Sequence, residues 1–115
     1  MLESVTATAL SSALDGLSLR QRSIAENVAN INTPGYHAKR VAFEDELRAA
    51  VADGSGAAPA TVERSLEPTR LNGNNVNLDT ETLSNIDTVL RYQFATQAMN
   101  AQSASVSRAI GQASA

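Results

Sequence analysis

Apolar positions in the first thirty residues repeat with steps alternating between three and four. Ala7, Leu10, Leu14, Leu17, Ile24, Val28 and Ile31 carry the pattern, with Gln21 as its one polar member. A 3.5-residue repeat held this long predicts a helix with a coiled-coil seam, and Gln21 is placed to fix its register. Such a helix is about 40 Å long at roughly 1.5 Å per residue. Gly16 inside it weakens it by about 1 kcal/mol relative to alanine. Asn32-Thr33-Pro34-Gly35-Tyr36 then predicts an abrupt stop. Proline fixes φ and glycine supplies a positive φ, as the central pair of a type II turn requires.

The pattern weakens after the turn. His37–Leu47 is short and mixed, Ala50–Ala60 contains Gly54-Ser55-Gly56 and Pro59, and Thr61–Val76 ends in Asn72-Gly73-Asn74-Asn75. This predicts an irregular middle with a flexible linker around 50–60 and one or two short extended pieces. A second long helix is predicted from about Thr80 to Ile110, with Asp79 as N-cap and Glu81 in its first turn. It carries two stripes. One is Leu83, Ile86, Leu90, Phe94, Ala98 and Ala101; the other is Val89, Tyr92, Thr96, Met99, Ser103, Val106 and Ile110. Two stripes predict two packed faces. After Arg91 only Arg108 is charged. Small uncharged residues suit a helix packed on most sides by other helices, and an alanine-rich helix of a small soluble bundle gives the same pattern.

The fold class is therefore mainly α. Long N- and C-terminal helices pack as a coiled coil, residues 1–36 and 79–115 form one discontinuous helical unit, and 37–78 form the middle region.

Composition narrows the function. Among 115 residues there are four aromatics, no cysteine and a net charge of −3, and twenty residues are alanine. So few aromatics make a thin core, and partners are expected to complete the burial. Disulfide scaffolds and cysteine-ligated metals are excluded. Nine basic residues against twelve acidic ones give no nucleic-acid footprint. No stretch is apolar enough to span a bilayer. Glu3 stands where a signal peptide would be basic. Localisation is thus expected to be cytoplasmic, or export by a route without a cleavable signal.

No catalytic chemistry emerges. His37 is the single histidine and reads as a solvated loop residue. Glu44-Asp45-Glu46 reads as a solvated helix start. Asn75-Val76-Asn77-Leu78-Asp79 alternates oxygen ligands, but Thr80 and Ile86 stand where a calcium loop needs glycine and glutamate. Gly54-Ser55-Gly56 lacks the lysine and length of a phosphate loop. No enzyme activity, metal or cofactor is expected.

Asn27-Val28-Ala29-Asn30-Ile31-Asn32-Thr33-Pro34-Gly35-Tyr36 resembles the N-terminal signature of the bacterial flagellar rod and hook proteins, Asn-x-Ala-Asn-x-x-Thr-Pro-Gly-Tyr. Gly73-Asn74-Asn75-Val76-Asn77-Leu78-Asp79-Thr80-Glu81 resembles a second segment, found before the C-terminal helix of one proximal-rod member. Ala38, Phe43, Leu47, Leu90, Tyr92 and Gln93 fit that member too. Arg91–Thr96 departs from the Tyr-x-Ala-Asn of the neighbouring rod proteins. The linker is uncovered, and the chain looks shorter there than many relatives.

The resemblance implies a structural subunit of the proximal rod, in a helical tube that transmits torque and forms the export channel. It implies copies of itself and other rod proteins as partners, together with basal-body components at the export gate and membrane ring. It implies passage through the flagellar type III export apparatus without direct membrane insertion, and location in the basal body. A small helical adaptor or export chaperone, or another rod protein, is the alternative. The motif residues are Asn27, Ala29, Asn30, Thr33, Pro34, Gly35 and Tyr36, with Gly73, Asn74, Val76, Leu78, Asp79 and Glu81 in the second motif. Asn27 and Asn30 are expected either to bond across subunits or to cap their own helix, and Tyr36 to dock the turn. Leu10, Leu14, Leu17, Ile24, Val28 and Ile31 are expected to pack on Leu83, Ile86, Leu90, Phe94, Met99 and Ile110. Leu17→Asp is expected to leave the chain soluble and stop assembly.

Overall fold

The computed structural model describes residues 2–114, with side chains from 5 to 112; Met1 and Ala115, the ends of the expected helical unit, lie outside the described residues. Helix α1 (Leu2–Ala29) is followed by strand β1 (Lys39–Ala42), helix α2 (Glu44–Asp53), strand β2 (Thr61–Arg64) and helix α3 (Leu78–Ser114). The fold is mainly helical, and the two long helices pack antiparallel. The molecule measures 68 × 25 × 15 Å with a radius of gyration of 18.1 Å. A compact chain of this length has about 13 Å. The elongation follows from α3, whose 37 residues span about 55 Å and outrun α1.

Helix α1 ends at Ala29, shortly before the Pro-Gly turn that the sequence predicts. The Asn30 side-chain amide donates to the Glu26 carbonyl at 2.8 Å, capping its own helix. Ile31, expected in the helical seam, lies beyond the helix end. In the Pro-Gly turn the Tyr36 N–H donates to the Thr33 carbonyl at 3.3 Å, and Gly35 has φ +75°. Both are type II features.

The middle region contains more regular structure than its composition suggests. Strands β1 and β2 pair antiparallel, from Lys39 with Arg64 to Ala42 with Thr61. Glu44, Asp45 and Glu46 form the acidic first turn of α2, which ends at the left-handed Gly54. The expected linker thus begins inside a helix. Its remainder is held on α1: Ser12 Oγ donates to the Gly56 carbonyl at 3.0 Å and accepts from the Ala58 N–H at 3.3 Å. A Cβ on Gly56 would meet the Val5 carbonyl at 2.7 Å, so only glycine allows that approach.

The core is small: Leu17, Val41, Phe43 and Ala95, flanked by Ala13, Leu14, Leu19, Leu47 and Ala60. Gly16 now has a reason. A Cβ there would lie 2.5 Å from the Phe43 ring, so the glycine that weakens α1 lets the aromatic lie against its backbone. Arg20 closes the same corner. Its guanidinium grips the Glu44 carboxylate, donates to the Val41 carbonyl at 2.7 Å and stands 4.9 Å from the Phe43 ring centre. The N-cap of α3 is Asn77, not Asp79. Asn77 Oδ1 accepts from the Asp79 and Thr80 N–H groups at 2.9 and 3.3 Å, and its carbonyl takes the first helical bond, from Glu81. Asparagine caps as well as aspartate, and this choice puts Asp79 and Glu81 in the first turn.

Candidate functional site

The two sequence motifs meet in space. Asn27, near the end of α1, is completely buried. Its amide donates to the Lys39 carbonyl at 3.0 Å and to Glu81 Oε2 at 3.1 Å; its oxygen accepts from the Lys39 N–H at 2.8 Å and from the Tyr36 hydroxyl at 3.2 Å. One side chain thereby pairs with β1 as a strand would, docks the turn and reaches α3. These bonds use both donors and both lone pairs of the amide. Asn27 is therefore neither a helix cap nor free for another subunit, because its bonding is complete within the chain.

Asn74 does the same for the second motif. Its amide donates to the Asn30 and Thr33 carbonyls, both at 2.8 Å; its oxygen accepts from the Val76 N–H at 2.8 Å and from Arg70 at 2.9 Å. Asn75 donates to the Ser65 and Glu67 carbonyls, each at 3.1 Å, and accepts from the Ala38 N–H at 2.7 Å. Gly73 sits against Gly35 so tightly that a Cβ would come within 3.2 Å of its Cα. Val76 is buried beneath. We call this set the clasp. All buried side-chain polar atoms among the described residues have a partner.

Glu81 is the clasp's only buried charge. Arg40 donates to its Oε1 at 2.6 Å and Asn27 to its Oε2. Arg40 also reaches Glu67 at 3.2 Å. A carboxylate out of water is tolerable because both oxygens have donors, one of them cationic. Burial raises the Tyr36 hydroxyl pKa above its usual value; Lys39 opposes this, and Glu26 and Glu81 add to it. The hydrogen-bonded Glu26 carboxylate raises Lys39. At Glu44 burial pushes upward, but the bonds and charge of Arg20, with the backbone N–H groups of Glu44 and Phe43, hold the carboxyl below its usual range.

The shaft differs from expectation. Leu17 and Ile24 are buried, Leu10, Leu14 and Ile31 half-buried, and Val28 more open. Opposite them stand Glu81, Thr88 and Ala95, all buried. The expected partners are largely uncovered: Leu83 is 68%, Ile86 53% and Leu90 61% exposed, and Phe94, 77% exposed, borders the open apolar groove it lines with Leu10, Leu17 and Phe43. Met99 is half-buried and Ile110 exposed. Glu81, on the buried side of α3, is held by Arg40 and Asn27, and Leu83 and Leu90 lie on the opposite side of the helix. Of the motif residues, Ala29, Thr33, Pro34, Gly35, Leu78 and Asp79 lie at the surface.

Sequence reasoning missed Arg20, Arg40 and Arg70, and met Asn75 only as part of the turn run and the second segment. Arg70 donates to the Val76 carbonyl at 2.6 Å and to the Ile31 carbonyl at 2.7 Å, tying the two motifs together. Its signal was its place just before the asparagine run. Arg40 carried no pattern at all. Among the described residues no group of acidic or histidine side chains is arranged to hold a metal, and no helix is long and apolar enough to cross a membrane.

A family model for flagella basal body rod proteins matches residues 8–37, which are most of α1 and the Pro-Gly turn. The chain is 31% identical over 105 residues to the flagellar basal body rod protein FlgB of Escherichia coli (strain K12), covering 72% of this chain and 76% of that one. It is 39% identical over 66 residues to the FlgB of Borrelia hermsii, covering 57% of this chain and 42% of the relative. Against the FlgB of Borreliella burgdorferi it is 51% identical over 37 residues, 32% of this chain and 27% of the relative. The matched stretches thus span less than half the length of the latter two proteins. The chain belongs to the FlgB family of flagellar basal body rod proteins.

Proposed function

We propose that this chain is a structural subunit of the proximal rod, packing with copies of itself and other rod proteins into a helical tube. The observation that carries this reading is the apolar stripe Leu83, Ile86, Leu90 and Phe94, which the chain itself leaves uncovered. Single exposed apolar residues are ordinary, but a continuous stripe on one helix face marks an interaction surface. Repeated heterologous contacts through such a face build open helical assemblies rather than closed pairs.

In this reading residues 1–36 and 79–115 form the assembly unit and 37–78 brace it. Leu83, Ile86, Leu90, Phe94 and Ile110 meet neighbours, while the clasp residues and Leu17 shape the subunit. The tube transmits torque and encloses the export channel. Its base meets components of the export gate and membrane ring. The chain reaches the basal body through the flagellar type III apparatus without a cleavable signal, and its lack of cysteine suits passage as an unfolded thread. The role requires no catalysis and no cofactor. An adaptor or export chaperone is disfavoured, because the relatives are named as rod proteins.

Deleting the gene should abolish motility and leave basal bodies without a rod, and re-expression should restore both. Mass spectrometry should find the chain in purified basal bodies. Motile deletion cells, or purified rods lacking the chain, would overturn the reading.

A further inference from the structure

Helix α3 turns its smaller and more polar side toward α1. Glu81, Thr88 and Ala95, seven residues apart, are buried there, while Leu83 and Leu90 are open. Each residue advances about 100° around a helix, so Leu83 and Leu90 stand about 200° from Glu81 and Thr88. Turning α3 by half a revolution would exchange the two faces and bury large aliphatic side chains on α1. Hydrophobic burial alone favours that exchange.

Thr88 and Ala95 do little to oppose it. The Thr88 hydroxyl donates to the Ser84 carbonyl of its own helix at 2.6 Å, a bond that rotation leaves intact. Ala95 offers only a methyl group. Of these three buried side chains, Glu81 alone is bonded outside α3, to Arg40 at 2.6 Å and Asn27 at 3.1 Å. Rotation would withdraw its carboxylate from both and strand one amide hydrogen of buried Asn27, an uncompensated loss.

We propose that Glu81 fixes the rotation of α3 and thereby selects the apolar stripe as the outward face. It is a specificity-determining residue: it decides which side of the helix is offered to a neighbour. The inference rests on the reading above only in taking the outward stripe as the assembly face. The rotation itself belongs to the single chain.

The absence of cysteine makes the test direct. Single thiols are introduced by Thr88→Cys or Leu90→Cys in the full chain, and their rates with a maleimide are compared in the parent and in Arg40→Leu/Glu81→Leu. The double variant removes both charges, so no buried ion is left alone. In the parent, the thiol at position 90 should react at least tenfold faster than that at 88. In the double variant the order should reverse, with helical circular dichroism retained. Three results overturn the proposal: equal rates in the parent, an unchanged order in the double variant, or both thiols becoming fast. The last would mean that Glu81 merely attaches α3. Motility plays no part in this readout, so its outcome is separable from that of the rod assignment.

Discussion

The two ends of the helical pair are built on opposite principles. At the clasp, Asn27, Asn74 and Glu81 are fully buried and bonded within the chain. Along the shaft, Leu83, Ile86, Leu90 and Phe94 face outward, and every side chain from Ser103 to Gln112 is exposed. Polar contacts are directional, so the clasp specifies one geometry, and its buried side chains have their bonds made within the chain. Apolar contacts are undirected, and on the shaft they are left unmade. The chain completes its polar bonding itself and leaves apolar area uncovered. Local opening free energies should follow the same division, high at the clasp and low toward the end of α3.

The contrast can be broken most severely at the core that joins the two regions. Leu17 is buried with Val41, Phe43 and Ala95. Leu17→Asp places an unpaired charge there, so circular dichroism should show an unfolded chain rather than the soluble, assembly-defective one that the seam pattern suggested. A folded variant would show that the core is dispensable. Asn27→Ala should come next, at about 3 kcal/mol or more in urea unfolding, since it strands several buried groups at about 1–3 kcal/mol each. A loss under 1 kcal/mol would show that the clasp is decoration.

Gly16→Ala sharpens the comparison on the shaft side. Helix propensity favours alanine by about 1 kcal/mol, but the new Cβ overlaps the Phe43 ring, and overpacking costs about 1–3 kcal/mol. Thermal melting should show a net loss; a gain would mean that the ring moves aside freely. The smallest effect concerns acid. The Glu44 carboxyl is held below its usual range. Its contribution is therefore complete above the unfolded carboxylate pKa, about 4.3, and is lost as pH falls through the lower folded value. Glu44→Gln should flatten that acid limb slightly and leave the slope near neutrality unchanged, as urea titrations at several pH values would show. The pair is partly exposed, so the change should be modest.

Much of the fold was legible in the sequence because helices announce themselves through period and punctuation. The 3-4 repeat located α1, and Pro34-Gly35 located its end. The clasp was legible only as two separate motifs. Its logic lies in contacts such as Asn27 with Glu81 and Arg70 with Ile31, across 54 and 39 positions, which no local pattern encodes. The start of helix α2 was legible in Glu44-Asp45-Glu46, but its end and the tethered loop at Gly56 were hidden by a composition that suits flexible linkers equally well. Strand β2 falls in the stretch expected to hold short extended pieces, but it is exposed at all four positions and so has no alternation that fixes its bounds. The rotation of α3 misled for a different reason. Apolar periodicity directed Leu83, Leu90 and Phe94 inward, and one buried carboxylate outweighs it.

The central claim is that the shaft's stripe serves neighbours and not the subunit. Leu90→Asp tests it most directly, measured in parallel as urea stability of the purified chain and as rods in basal bodies isolated from cells carrying only the variant. Position 90 is exposed, so stability should change by no more than about 0.5 kcal/mol while rods and motility are lost. Normal rods with Leu90→Asp would contradict the account.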